Sequence, residues 1–415
     1  MKTAPNRNYQ VVYAIGILVI FVAMAFYTRD LEQRKQRQKL GEATLGQIDT
    51  GSFMLKLALL GGARGVAANV LWLRAEDLKK AHEWDRLKAT VDLITKLQPH
   101  FLSVWTFQGW NLAYNVSVEW DAPEDKYEWI KQGIKFLKDG VRKNETSPDL
   151  MWDTAWTYYH KIGFADEAVI LRRLFYDDDD EPFKTYIDAR TGIAQTKDDN
   201  FLLGYGWFTN AVEKVDQGSA RLVTEFSKAV EYVDKPTQHK GRPGDLHFRT
   251  MPAHAQTRYA SGLEKESIMG VPAKFGEVAS IEWGKALQEW NQFGQYTWPA
   301  FSDPDQMVRI DDSTNMEAFS KLTDVQKYWT ERWANDTNYR YWKDRSAAEM
   351  EKDGVTARQF FYEGTKALKA GRFVSETDKN GNLRRGAIEN YAEGLKVWER
   401  LLSRHNAYLN DQLNM

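Results

Sequence analysis

The chain has 415 residues, 56 basic against 58 acidic, and a formal net charge of -2. A hydrophobic share of 43% and a charged share of 27% exclude wholesale disorder and low-complexity architecture, and the balanced charge offers no electropositive field for nucleic acid. The chain contains no Cys, which excludes disulfides, thiolate metal centres and cysteine nucleophiles, while 16 Trp and 19 Tyr await a use.

Residues 1–8 form a short tail. From Asn8 to Thr28 there is no charge, and Val11 to Tyr27 are wholly apolar or aromatic. About 21 helical residues reach about 30 Å, one bilayer core, so 9–28 read as a single-pass anchor in the lipid bilayer. Tyr9, Tyr13, Phe26 and Tyr27 sit near its ends, where amphipathic rings favour the headgroup layer. The rival is a cleaved signal peptide, with Lys2 and Arg7 as its basic region and Ala23-Met24-Ala25 as a small-x-small site.

A basic linker, 29–50, follows the span. Its Arg34, Lys35, Arg37 and Lys39 are candidates for contact with anionic lipid headgroups, each worth about 1 kcal/mol, although basic residues also follow spans simply to set topology. The charge count leans towards a cytoplasmic body, and the absence of Cys leans the other way, leaving the side of the membrane open. Phe53 to Leu73 is a second apolar stretch, interrupted by Lys56 and Arg64. It reads as the close-packed first helix of the body, with a second span or re-entrant element as the alternative.

From residue 51 to 176 a period emerges. The tetratricopeptide consensus of 34 residues wants large, small and large residues at 4, 8 and 11, an aromatic at 17, small at 20, aromatic at 24, small at 27 and Pro at 32. With Pro99 at 32, Leu71, Ala75, Leu78, Trp84, Leu87, Val91 and Ile94 fall on these positions, Leu87 and Ile94 being oversized. The next unit then begins at Leu102 and places Trp105, Gly109 and Leu112 at 4, 8 and 11 without adjustment. Val116 to Glu124 reads as a loop inserted in this unit before an amphipathic helix through Tyr127, Trp129, Ile130, Ile134 and Leu137. A third unit has Trp152, Ala155, Tyr159, Gly163 and Ala168 at 4, 7, 11, 15 and 20, with Trp156 and Arg172 as departures. Such units are paired antiparallel helices that cannot bury their apolar faces alone and so stack into an α-solenoid.

Residues 177–352 are more degenerate. Phe201 to Lys214 and Ser219 to Tyr232 read as a helical pair, 234–251 as a long loop rich in Pro and Gly, and Ala253 to Glu266 with Phe275 to Phe293 as another pair. Trp298 to Asp312 reads as loop, and Gln326 to Lys352 as helix. In 353–409 a last pair carries Phe360, Gly364, Ala367 and Gly371 on one helix and Ala387, Tyr391 and Gly394 on the other, with an insertion at 372–386. The fold expectation is therefore all-α: one transmembrane helix followed by a tetratricopeptide-like solenoid with loop insertions.

Several constellations invite chemistry. His239, His247 and His254 bring three imidazoles near the long loop but without a helix-fixed metal spacing. Asp378, Asn380, Asn382 and Glu389 match positions 1, 3, 5 and 12 of a calcium loop, yet Leu383 stands where Gly is needed. The acidic run Asp177 to Glu181 reads as a solvated loop. No P-loop, no GxGxxG after a strand and no GxSxG elbow is present, so neither a catalytic group nor a cofactor is assigned.

Gly61-Gly62-x-Arg64-Gly65 to Trp72, Leu93 through Phe101, Trp110-Asn111-x-Ala113-Tyr114-Asn115-x-Ser117-Val118, Tyr159-His160-Lys161-Ile162-Gly163 and Asn338-Tyr339-x-Tyr341-Trp342 resemble membrane-anchored tetratricopeptide-type proteins of planctomycete and related bacteria. The likeness runs over most of the chain after residue 50 and implies helical repeats and membrane attachment, with no reaction. The expectation is a scaffold whose groove holds a protein or peptide partner. A structural subunit of a larger membrane complex is the first alternative, and an enzyme or metal sensor using the 234–254 region the second.

Overall fold

In a computed structural model of the chain, residues 64–219, 245–264, 273–300 and 302–410 are described, and they are predominantly helical with three antiparallel two-stranded hairpins. Two compact units emerge. Of the described residues, one comprises those up to Gly109 with Asp139–Glu145; the other comprises Trp110–Lys138 and those from Thr146.

The first unit opens on helices α1 (Arg64–Lys80) and α2 (Trp84–Leu97). A three-residue turn, with His82 left-handed at φ 57°, folds them against each other. Ala68, Ala75 and Leu78 on α1 and Leu87, Val91 and Ile94 on α2 recur every three to seven residues and are fully or nearly fully buried. Leu71, Trp84 and Pro99 are half-buried. Helix α3 (Leu102–Trp110) buries Trp105 and Gly109. Trp105 donates its indole N–H to the Pro99 carbonyl at 2.8 Å, and its ring covers Gly140 in the last turn of α4 (Pro123–Lys143). A Cβ on Gly140 would stand 2.9 Å from that ring. Asn144 locks the contact by donating to the carbonyls of Pro99 and Gly140, each at 2.9 Å.

In the second unit, Asn111–Val116 form a π-helical turn and Ser117–Glu119 a 3-10 turn, with Leu112 buried. The loop expected over Val116 to Glu124 is thus largely helical. Its cause is local: the Ser117 hydroxyl donates to the Ala113 carbonyl at 2.6 Å, satisfying the backbone where the turn widens. Ser147 caps the next helix and Pro148 starts it: α5 (Pro148–Trp156), a π turn (Thr157–Lys161) and α6 (Ile162–Phe164), followed by α7 (Ala168–Asp177). Ala155 and Tyr159 are buried, while Gly163 and Ala168 are half-buried. A hairpin of β1 (Thr185–Ile187) and β2 (Ala194–Thr196) leads to α8 (Asn200–Asp216), capped by Asp199. Gly204 on α8 meets Ala155 and Tyr159, so the two helices approach at small residues.

Helix α9 (Leu246–Gly262) begins inside the stretch expected as loop, so 246–251 are its first turns, and Pro252 sits within it. Residues 219–232 bear on the described chain only through Ser219; the rest of that expected helix lies outside. Helix α10 (Glu277–Gln295) packs on α9. The expected loop after it is instead a hairpin of β3 (Thr297–Ala300) and β4 (Asp303–Arg309) with a bulge at Pro299/Ala300, then a 3-10 turn (Ile310–Thr314) and α11 (Met316–Ser320). Pro299 and Pro304 are compatible with a two-stranded hairpin because every strand is an edge. The expected single helix over 326–352 is two, α12 (Asp324–Asp336) and α13 (Tyr339–Met350), broken where Asn338 turns left-handed at φ 49°. Trp290, Phe293, Trp298, Val308, Ile310 and Tyr339 form the core of this region.

Helices α14 (Lys352–Lys369) and α15 (Ala387–Leu402) close the chain with the short α16 (Asn406–Leu409). Gly371 at φ 72° ends α14: its amide donates to Leu368 and that of Arg372 to Ala367, the Schellman pattern. The insertion at 372–386 holds the hairpin β5 (Glu376–Thr377) and β6 (Leu383–Arg384). Ala367 and Ala387 are buried, and Gly364 and Gly394 receive the rings of Tyr391 and Phe361. Among the described residues no helix is long and apolar enough to cross a membrane. The expected anchor at 9–28 and the basic residues Arg34, Lys35, Arg37 and Lys39 lie outside them.

Candidate functional site

Two helical stretches of the second unit carry rings at a spacing of four: Trp110 and Tyr114 on one, Trp152, Trp156, His160 and Phe164 on the other. In a regular α-helix such a column drifts around the axis, because four residues overshoot one turn of 3.6. Each stretch contains a π-helical turn, Asn111–Val116 and Thr157–Lys161, whose wider winding opposes that drift. Thr157 supports the second by donating its hydroxyl to the Asp153 carbonyl at 2.8 Å.

The result is a stacked aromatic column. Ring centroids are 5.6 Å apart for Trp110 and Tyr114, 6.1 Å for Tyr114 and His160, 4.7 Å for His160 and Trp156, and 5.2 Å for Trp156 and Trp152. Phe248 on α9 extends it beyond Trp152 at 6.4 Å. Phe164 lies near-parallel to the same imidazole, with ring centroids 6.1 Å apart. All are within the range of favourable ring pairs. Trp110 and Phe164 are 47% and 40% exposed, and Tyr114, Trp156 and His160 are half-buried, so the column is a surface feature.

Two cations flank it. Lys161 Nζ lies 5.2 Å from the Tyr114 ring centre and the Arg258 guanidinium 4.9 Å from that of Phe164. Burial holds the Lys161 ammonium below its usual range, with Lys126 adding to the effect and Glu167 opposing it. The imidazole of His160 is likewise lowered, by burial and then by Lys161, and the Tyr114 phenol is raised by burial. Tyr114 and His160 Nδ1 are 3.3 Å apart, a long hydrogen bond that ties the helices together. The arrangement supplies flat apolar area, ring edges and two positive charges.

The constellations singled out in the sequence are disposed differently. Trp152 belongs to the column, and Trp105 packs on Gly140 in the first unit. His239 lies outside the described residues, and His254 is wedged edge-on between Trp290 and Trp342, at 4.9 and 5.1 Å. Among the described residues no three His, Asp or Glu converge as a metal set. Asp378 spends its carboxylate on the amides of Asn380 and Asn382, both at 2.9 Å, and Glu389 accepts from the Ser375 amide. The acidic run is an internal anchor and not merely a solvated loop: Asp178 pairs with Lys131 at 2.7 Å and Asp180 with Lys135 at 2.6 Å. Lys135 holds Asp180 at about 2 against partial burial.

Other polar clusters were not singled out beforehand. Arg358 pairs with both Glu264 and Glu349, and burial raises Glu264 despite that partner. His405 bridges Asp344 at 2.6 Å and Glu351 at 2.9 Å. Their members are scattered over more than fifty sequence positions, so no local motif announces them. Comparison with known proteins brings no further name to these sites: no protein-family model matches the chain, and neither a curated protein nor a solved structure is significantly similar to it.

Proposed function

We propose that the protein is a membrane-anchored scaffold of the tetratricopeptide-repeat type, held at the bacterial inner membrane by residues 9–28, whose helical array binds a segment of a partner protein. The observation that carries this reading is the column of Trp110, Tyr114, His160, Trp156 and Trp152, a rigid aromatic strip left partly open to solvent on two helical stretches. Aromatic anchors lose little side-chain entropy on binding and dominate interface energetics. Supporting it, the helix pairs meet at small residues: Gly204 against Ala155, and Gly364 and Gly394 against rings. Stacked pairs of this kind build extended binding surfaces. The role assigned is binding and not catalysis.

Affinity capture from solubilised membranes, with the full chain as bait, tests the proposal. A partner recovered in stoichiometric amount and lost with Trp110→Ala and Tyr114→Ala supports it. Capture unchanged by those substitutions, or no stoichiometric partner, overturns it.

A further inference from the structure

We infer that the column takes an acidic segment of the partner, whose carboxylates pair with Lys161 and Arg258 while its apolar groups lie along Phe164, His160 and Tyr114. This rests on the scaffold reading and specifies what the scaffold holds.

Charge is the first argument. Cations around the column are matched within the protein: Lys126 pairs with Glu167, Arg172 with Asp199 and Lys131 with Asp178. Among the described residues Lys161 and Arg258 have no carboxylate within ion-pairing distance: Lys161 lies over the Tyr114 ring, with Glu167 and Asp166 acting on it only from farther off, and Arg258 lies over the Phe164 ring and hydrogen-bonds the Tyr159 hydroxyl. A half-desolvated cation without a directly paired carboxylate is costly, and an arriving carboxylate lowers that cost.

Ring geometry is the second. Stacked rings spend their faces on one another and present their edges outward. Aromatic edges carry the positive pole of the ring quadrupole, so they favour carboxylate and carbonyl oxygens over cations. Spacing is the third. Arg258 to Phe164, Phe164 to His160, His160 to Tyr114 and Tyr114 to Lys161 are steps of 4.9, 6.1, 6.1 and 5.2 Å. At roughly 3.3 Å per extended residue, a stretch of up to about seven residues spans both charges.

Fluorescence anisotropy of the detergent-solubilised full chain with a fluorescein-labelled octapeptide alternating Glu with Leu and Tyr tests this. The acidic peptide is expected to bind, to weaken about tenfold or more in Lys161→Ala with Arg258→Ala, and to weaken with added salt. Lys161→Gln with Arg258→Gln keeps the stems and repeats the measurement if the alanine pair lowers the thermal midpoint. Equal binding by these variants, equal binding of the same peptide with Lys for Glu, or capture of phosphatidylserine vesicles in place of the peptide overturns the inference. The two readings fail separately. A captured partner that is lost with Trp110→Ala but kept by the charge variants sinks the acidic assignment and leaves the scaffold. Peptide binding without any partner in membranes sinks the scaffold and leaves the site.

Discussion

Gly364 on α14 faces the Tyr391 ring of α15, and Gly394 on α15 faces the Phe361 ring of α14, so each helix offers a hollow to the other's aromatic side chain. A Cβ would stand 3.0 Å from Tyr391 at the first and 2.8 Å from Phe361 at the second. Helix propensity alone would favour alanine by about 1 kcal/mol, so these glycines are kept for packing. Gly394→Ala should therefore destabilise by up to about 2 kcal/mol, the overpacking cost less the propensity gain, and Gly364→Ala by less; a raised thermal midpoint in Gly394→Ala would refute the close approach. His254 is a different kind of residue-scale constraint. Burial between two indoles, with Arg258 and His247 nearby, lowers its pKa to about 3. The folded state then binds fewer protons than the unfolded one between about pH 3 and 6.5, so its contribution is full above pH 6.5 and is lost as pH falls. Stability should drop by up to about 1.4 kcal/mol per pH unit across that window from this group. In His254→Gln the loss between pH 7 and pH 5 should be shallower, read as the difference in thermal midpoints; parallel curves would show that the imidazole is not the source.

At the scale of elements, one buried lysine ties the 182–185 segment to α4. Lys138 on α4 is buried and donates to the carbonyls of Pro182 at 2.6 Å, Phe183 at 3.0 Å and Thr185 at 2.8 Å, with its ammonium 5.8 Å from the Trp207 ring centre. Lys138→Met keeps the stem and strips the donors from the Pro182 and Thr185 carbonyls, while Phe183 keeps the Tyr158 hydroxyl at 2.6 Å. A loss of about 1–3 kcal/mol is expected, with faster amide exchange through β1 and β2; unchanged exchange there would show the hairpin to be self-sufficient. The sequence is legible where an element is made locally. The periodicity of Phe201 to Lys214 and Phe275 to Phe293 marks α8 and α10, because an amphipathic helix repeats its reason every turn. It is illegible where the reason is a single residue or a distant one. Asn338 breaks a helical run by one left-handed step, and Pro299 and Pro304 suggest loop in a hairpin with no inner strand to forbid them. The column is a middle case. Trp152 reads as repeat core and Trp156 as a departure from the register, and the cross-helix pairing of Tyr114 with His160 needs the fold.

For the molecule as a whole, the abundance of tryptophan and the absence of cysteine have separate consequences. Trp283 and Trp290 on α10 and Trp298 on β3 are among the largest fully buried side chains, so rings supply core volume beside helices whose contact faces carry Gly and Ala. Without Cys, no covalent cross-link supplements that packing. In the proposed anchoring, attachment to the bilayer rests on residues 9–28 together with the charges at Arg34, Lys35, Arg37 and Lys39. About 20 apolar residues anchor through burial, whereas four surface charges contribute about 1 kcal/mol each and are screened by salt. The two contributions respond to different perturbations. High salt or alkaline carbonate should leave the full chain in the membrane pellet, since neither weakens burial of the span. Leu18→Arg with Phe21→Arg should release it, because each charge at mid-bilayer costs about 2.5–3.5 kcal/mol on the insertion scale. Release of the unaltered chain by salt alone would assign attachment to the basic residues, and retention of the double variant in carbonate would place the anchor elsewhere in the chain.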